Sequence, residues 1–359
     1  MRPELRALTG LRGVAAMAVA FAHFQLFYPG YANAPFMWGN AVDLFFVLSG
    51  FTLSYVYRRE DVQFSSFFTA RIARIFPLYL LTTVIAGAAI VVPLQFNPTT
   101  YPLKDAISDF VLQALMLNAW PFGSDVHWNV TAWSISSEWF CYLALFPLLL
   151  YQKVARSAAM RLLCIVVLSA TSYSIFVRYY DGNLGTAQIY HAKSQWSYWV
   201  ALLRGVFGFT AGWVVFACYE RRDGLYIFCT RASALIWSTL IVGVVLAYRD
   251  LLNPQALVFI HPFVVLAATD QGSATSRLLG SRPLHFLGVI SYSIYMTHYI
   301  LFVGYLAVFG LPSAWSAQTY VLLACTTLAV FAGSYFFFER PARDVIRSLQ
   351  RVRPAQTSA

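Results

Sequence analysis

The chain has 359 residues, 59% of them hydrophobic and 11% charged, with mean hydropathy +0.61 and a formal net charge of +10. An ordinary soluble domain is about one quarter charged, so this composition excludes a soluble enzyme. The positive charge does not mark a nucleic-acid partner either, because the basic residues sit in short loops between apolar windows and form no exposed arm.

The apolar windows are each close to the ~20 residues that span a bilayer as a helix, and they imply an all-α polytopic membrane bundle. Ten transmembrane helices are expected, at 13–30, 39–57, 75–93, 132–151, 161–178, 196–218, 232–248, 255–270, 287–309 and 317–338. Both termini then lie on one side. The N-terminus, the loops at 58–74, 152–161, 219–231 and 271–286, and the C-terminus hold 20 of the 25 Lys and Arg, against Lys104, Arg178, Lys193 and Arg249 opposite. By the positive-inside rule the first set is cytoplasmic, and the remaining Arg204 falls inside a span.

At the N-terminus, basic residues, the apolar run 13–27 and Ala32-Asn33-Ala34 imitate a cleavable signal peptide, but Pro35 disfavours cleavage, so residues 1–34 are expected in the mature chain. Within the first span, Arg12 and His23 are eleven residues apart. At ~100° per residue they return to within about 20° of one helix face, separated by ~16 Å of rise. Ionisable groups at membrane depth cost roughly 2.5 kcal/mol or more apiece, so each is a functional candidate. Taken singly, Arg12 is also a cytoplasmic anchor and His23 a core histidine. The second span, "AVDLFFVLSGF", puts Asp43 near the depth of His23, where a carboxylate orients an imidazole or caps the helix N-terminus.

In "ARIARIFPLYLL", Arg71 and Arg74 lie three apart where a helix enters the membrane, which suits either a phosphate or plain anchoring. Arg340 and Arg343 admit the same two readings. Residues 94–131 do not fit a plain loop, because 105–119 is apolar with helical spacing; an amphipathic or re-entrant helix at the outer face is expected, and a crossing would invert every later loop. The fourth span opens "WSISSEWFCYLALF", with Ser134, Ser137, Glu138, Cys141 and Tyr142 on one face. In the ninth, "GVISYSIYMTHYI", Gly288, Ser291, Tyr292, Tyr295 and His298 fall within about 120° of arc, as a cavity lining or as glue between helices. Five cysteines lie in or beside apolar windows without metal-type spacing, so buried unpaired thiols and no metal site are expected. One membrane domain, 1–343, precedes a basic cytoplasmic tail, 344–359.

The segments "LTGLRGVAAMAVAFAHF", "VDLFFVLSGFTL", "RIARIFPLY", "WSISSEWFCYLALFP", "LGVISYSIYMTHY" and "ERPAR", in this order, resemble the acyltransferase 3 family of integral-membrane acyltransferases. The resemblance implies a ten-span domain that moves an acyl group, most commonly acetyl, from cytoplasmic acyl-CoA to a hydroxyl of an extracytoplasmic carbohydrate, in the bacterial plasma (inner) membrane. It makes His23, Asp43 and Glu138 the candidate catalytic groups, Arg12, Arg71 and Arg74 the donor-binding groups, and Ser291, Tyr292, Tyr295 and His298 the acceptor or oxyanion groups. Trp139, Phe140 and Met296 depart from the family pattern and remove none of these. No permanently bound cofactor is implied; the resemblance implies acyl-CoA, most commonly acetyl-CoA, as the donor substrate. The partners implied are the glycan or another hydroxyl acceptor, the lipid bilayer and glycan-assembly proteins. A small-molecule, lipid or macrolide acceptor is the nearest alternative, and a proton-coupled secondary transporter the main rival class.

Overall fold

The computed structural model describes residues 2–25, 40–57, 60, 62–91, 101–121, 128–180 and 195–351. The Ala32-Asn33-Ala34 signal and Lys193 lie outside them. Within the described residues, each of the ten expected spans coincides with helical segments. These are α1 (Arg6–Gln25), α2 (Ala41–Val56), α3 (Phe64–Ala86, extended by a π-turn over Gly87–Val91) and, after the short α4 (Leu103–Ala114), α5 (Val130–Tyr151). They continue as α6 (Ala158–Tyr180), α7 (Gln195–Arg221), α8 (Gly224–Arg231) bent by 71° into α9 (Ser233–Tyr248), and α10 (Pro254–Ala267). Two short helices, α11 (Ala274–Leu279) and α12 (Arg282–Val289), lead to α13 (Ser291–Phe309), α14 (Ala317–Ser334) and, past a π-turn over Tyr335–Glu339, α15 (Arg340–Arg351).

Among the described residues seven helices are long and apolar enough to cross a membrane, and the bent α8–α9 pair makes an eighth. The ten-span count also needs α2 and α10, which are apolar but shorter. The boundary expected at 343/344 falls inside α15, so the basic tail begins as a helix continuous with the last span.

Two close helix approaches set the geometry of the bundle. A Cβ on Gly50 of α2 would stand 1.9 Å from the Phe209 carbonyl oxygen of α7, and one on Gly288 of α12 would stand 1.8 Å from that of Thr9 in α1. Only glycine lets these backbones touch, as in other helix contacts formed without a hydrophobic drive between helices. Helix α4 is inverted relative to a soluble amphipathic helix. Leu103, Ile107, Val111 and Leu115 are exposed, while Asp109 and Gln113 are buried. Twelve residues rise ~18 Å, short of the ~30 Å hydrocarbon core, and the exposed apolar stripe fits the amphipathic or re-entrant helix expected here.

Its polar face is held by a buried chain of hydrogen bonds: Gln113 Nε2 donates to the Tyr79 hydroxyl, which donates to Asn118 Oδ1, each at 2.9 Å. The five cysteines are unpaired, but only Cys141, Cys218 and Cys229 are buried; Cys325 is exposed on α14.

Candidate active site

A cavity of about 270 Å³ lies between α1, α2, α3, α5 and α13. Arg12, Arg71, Arg74, Glu138, Ser291, Tyr292 and Tyr295 all line it, together with Ser49, Ser134 and Tyr142. Each arginine comes from the end of its helix that carries the Lys/Arg-rich loops, as the spacing of Arg71 and Arg74 at the start of α3 requires. Arg12 donates to Thr52 Oγ1 at 2.7 Å and to the Leu48 carbonyl at 3.3 Å. Arg71 lies over the rings of Tyr57, Phe67 and Tyr142 and reaches the Tyr57 hydroxyl at 3.4 Å, leaving its buried Nε without a partner. None of the three forms an ion pair among the described residues.

Glu138 accepts from the Ser49 and Tyr142 hydroxyls, each at 2.5 Å. Tyr142 belongs to a π-turn over Cys141–Leu145 that follows the α-helical turn of Glu138. The extra residue in that turn re-aims the side chain, a use of π-bulges that recurs at functional sites. Pro77 lacks an N–H and loosens the middle of α3, and the nearby Ile75 carbonyl accepts from the Tyr292 hydroxyl at 2.7 Å. The Tyr295 hydroxyl lies 2.5 Å from Ser134 Oγ and donates to the Thr131 carbonyl at 3.0 Å.

His23 and His298 lie outside the cavity lining and meet each other. His298 Nε2 is 3.2 Å from His23 Nδ1, and the ring centroids are 4.9 Å apart. Backbone carbonyls set their protons. His298 Nδ1 is 3.1 Å from the Ile294 carbonyl, which only accepts, so Nδ1 carries hydrogen and Nε2 of the neutral ring is an acceptor. His23 Nδ1 is 3.0 Å from the Val19 carbonyl, so it too carries hydrogen and is shared with His298 Nε2. The lone pair left over is His23 Nε2. Tyr295 stands between this pair and the cavity, its ring 5.9 Å from that of His298.

The carboxylates lie elsewhere than the sequence spacing suggests, and the expected partnership of His23 with Asp43 or Glu138 is corrected here. Asp43 is 1% exposed and is bound by Arg204 through Nε at 3.0 Å and Nη2 at 2.9 Å, with Gln255 Nε2 adding a bond at 3.1 Å. The Arg204 guanidinium is also enclosed by the rings of Trp133 and Phe176. This is a buried ion pair between α2 and α7, which explains the intramembrane arginine that the span assignment leaves without a role. Glu138 lines the cavity with the arginines and hydrogen-bonds to Ser49 and Tyr142. Ser49 was not among the expected site residues; its position one turn and a half past Asp43 on α2 is the only sequence signal for it.

The model of the acyltransferase domain family, Acyl_transf_3, matches residues 5–339. The acyltransferase MdmB of Streptomyces mycarofaciens is 27% identical over 387 residues, covering 99% of this chain and 95% of the relative. The peptidoglycan O-acetyltransferase OatA of Listeria monocytogenes is 23% identical and the putative peptidoglycan O-acetyltransferase YrhL of Bacillus subtilis 26%. The chain spans only 56% and 54% of those two relatives. No solved structure matches. The chain belongs to the acyltransferase 3 family and is a multi-pass membrane acyltransferase of groups other than aminoacyl groups.

Proposed function

We propose that this chain is an O-acyltransferase that takes an acyl group, acetyl in the first instance, from cytoplasmic acyl-CoA and delivers it to a hydroxyl of a carbohydrate on the opposite face of the membrane. The observation that carries the reading is the set of three arginines that form no ion pair among the described residues, on one cavity, at the end of the bundle where the basic loops lie. Guanidiniums in that setting match the pyrophosphate of the donor by bidentate, charge-assisted hydrogen bonds. The carbohydrate acceptor draws support from the peptidoglycan O-acetyltransferases among the relatives.

In this mechanism Arg12, Arg71 and Arg74 hold the donor phosphates and the pantetheine arm runs outward past Ser49 and Ser134. The thioester meets the histidines only past Tyr295, so the Tyr295–Ser134 hydrogen bond opens during turnover. His23 Nε2 takes the proton from the acceptor hydroxyl as its oxygen attacks the thioester carbonyl, the carbon–sulfur bond breaks, and the proton passes from His23 to the departing thiolate. Transfer through an acyl-histidine uses the same nitrogen. His298 acts as a positioning residue, since its Nε2 holds the His23 Nδ1 proton and leaves Nε2 as the base. Glu138 stays with the arginines, where it balances their charge when the donor leaves, and Asp43 holds α2 to α7. Tyr292 keeps the cavity wall on α3, with Ser291 beside it.

Acyl-CoA turnover by purified protein tests the reading, together with mass spectrometry of surface glycans with and without the protein. Loss of both in a folded His23→Ala variant is the expected result; unchanged turnover in that variant overturns it. Movement of a substrate across the membrane without a covalent product would indicate a transporter instead.

A further inference from the structure

Helix α15 lies at the cytoplasmic end of the bundle and packs along α3. Its Arg343 and Arg347 are four residues apart and share one stripe, while Val345 and Leu349, 60% and 65% exposed, form a stripe roughly opposite. The basic stripe faces the inner end of α3. The α15 and α3 helices are in contact, and Arg71 and Arg74 of α3, with Arg343, are among the positive charges that act on the Arg347 guanidinium. Arg343 is partly matched, 3.9 Å from Glu339 and 3.6 Å from Asp344. Arg347, like Arg71 and Arg74, makes no ion pair among the described residues. Two contacting helices thus carry like charges beside the cavity, an arrangement that repels itself and that an anion of several charges relieves.

We propose that Arg347 forms a second phosphate subsite beside the cavity, holding the ribose 3′-phosphate of coenzyme A while Arg71 and Arg74 hold the pyrophosphate inside. This rests on the acyl-CoA reading above. A lipid headgroup phosphate has the same chemistry, but the apolar stripe of α15 lies roughly opposite the basic one, so the nucleotide phosphate is the occupant inferred here.

The test is binding of coenzyme A and of 3′-dephospho-coenzyme A to the full chain in phosphatidylcholine nanodiscs. Wild type binds coenzyme A tighter by about tenfold or more, the effect of one charge-assisted contact. In Arg347→Ala that preference falls to near one while affinity for the dephospho form stays within about twofold, which also reports that the variant is folded. Arg347→Lys, which keeps the charge without the fork, retains part of it. A preference unchanged in Arg347→Ala overturns the subsite, and so does an equal loss for both ligands. If Arg347→Ala changes only binding to phosphatidylglycerol nanodiscs, the site belongs to lipid and the proposal falls. Wild type binding both forms equally removes the subsite and leaves the donor reading standing; wild type binding neither removes both.

Discussion

A histidine pair with no carboxylate bound to it among the described residues depends on the backbone for its tautomers. At His23 and His298 the Val19 and Ile294 carbonyls, one helical turn back on each helix, supply that control. Removing the second ring should therefore affect rate more than binding. In His298→Ala the turnover number is expected to fall about 10²-fold or more with apparent affinity for acyl-CoA nearly unchanged, and the pH profile of turnover should move. Steady-state kinetics across pH measure this, and an unshifted profile at full rate contradicts the positioning role. Asp43 calls for the opposite signature. Removing one partner of a buried ion pair costs roughly 3–5 kcal/mol, so Asp43→Ala should lower thermal stability sharply while turnover per folded molecule largely survives. Stability equal to wild type, with turnover abolished, would return Asp43 to the catalytic group. Sequence spacing brings Asp43 and His23 to one depth but does not say which way a carboxylate turns. Its partner Arg204 is 161 residues away on α7, and no spacing along the chain joins the two, although an intramembrane arginine needs an opposite charge.

The helices are built by patterns that read well along the chain and pack by contacts that do not. Apolar windows located every long helix, because hydrophobic length is a local property. The arginines of the cavity were legible for the same reason: Arg71 and Arg74 occupy one turn at the start of one helix. The close approach at Gly50 is invisible without its partner, since glycine at that position is equally a weak point in a helix. Gly50→Ala should separate α2 from α7 and lower thermal stability by more than 1 kcal/mol, about the size of an overpacked core substitution. A stability equal to wild type would mean that the two backbones do not touch. Helix α4 carries a topological consequence. In a Cys325→Ser background, Lys104→Cys and Pro121→Cys should both react with a membrane-impermeant maleimide added on the extracytoplasmic side. Labelling of the two positions from opposite sides would make α4 a crossing segment and invert every later loop.

Across the whole molecule the residues form two centres joined by Tyr295. One is an arginine cavity at the end with the basic loops, and the other a histidine pair formed near the far end of α1 and at the middle of α13. On the proposed function that division answers a compartment problem: a phosphorylated cytoplasmic donor would meet an acceptor outside, and the ~16 Å between Arg12 and His23 on α1 is a distance an extended pantetheine arm covers. The spacing of those two residues on one helix face was present in the sequence, whereas Tyr295 between the centres emerges only when α13 packs against α5. The most direct test supplies isotopically labelled acetyl-CoA to one face of sealed vesicles that carry the protein and an oligosaccharide acceptor mixture on the other. Label is expected in the carbohydrate only when acetyl-CoA is on the face with the basic loops, and not at all in His23→Ala. Label transferred with acetyl-CoA on the opposite face, or undiminished in His23→Ala, would contradict a donor path running from the arginine cavity to the histidines.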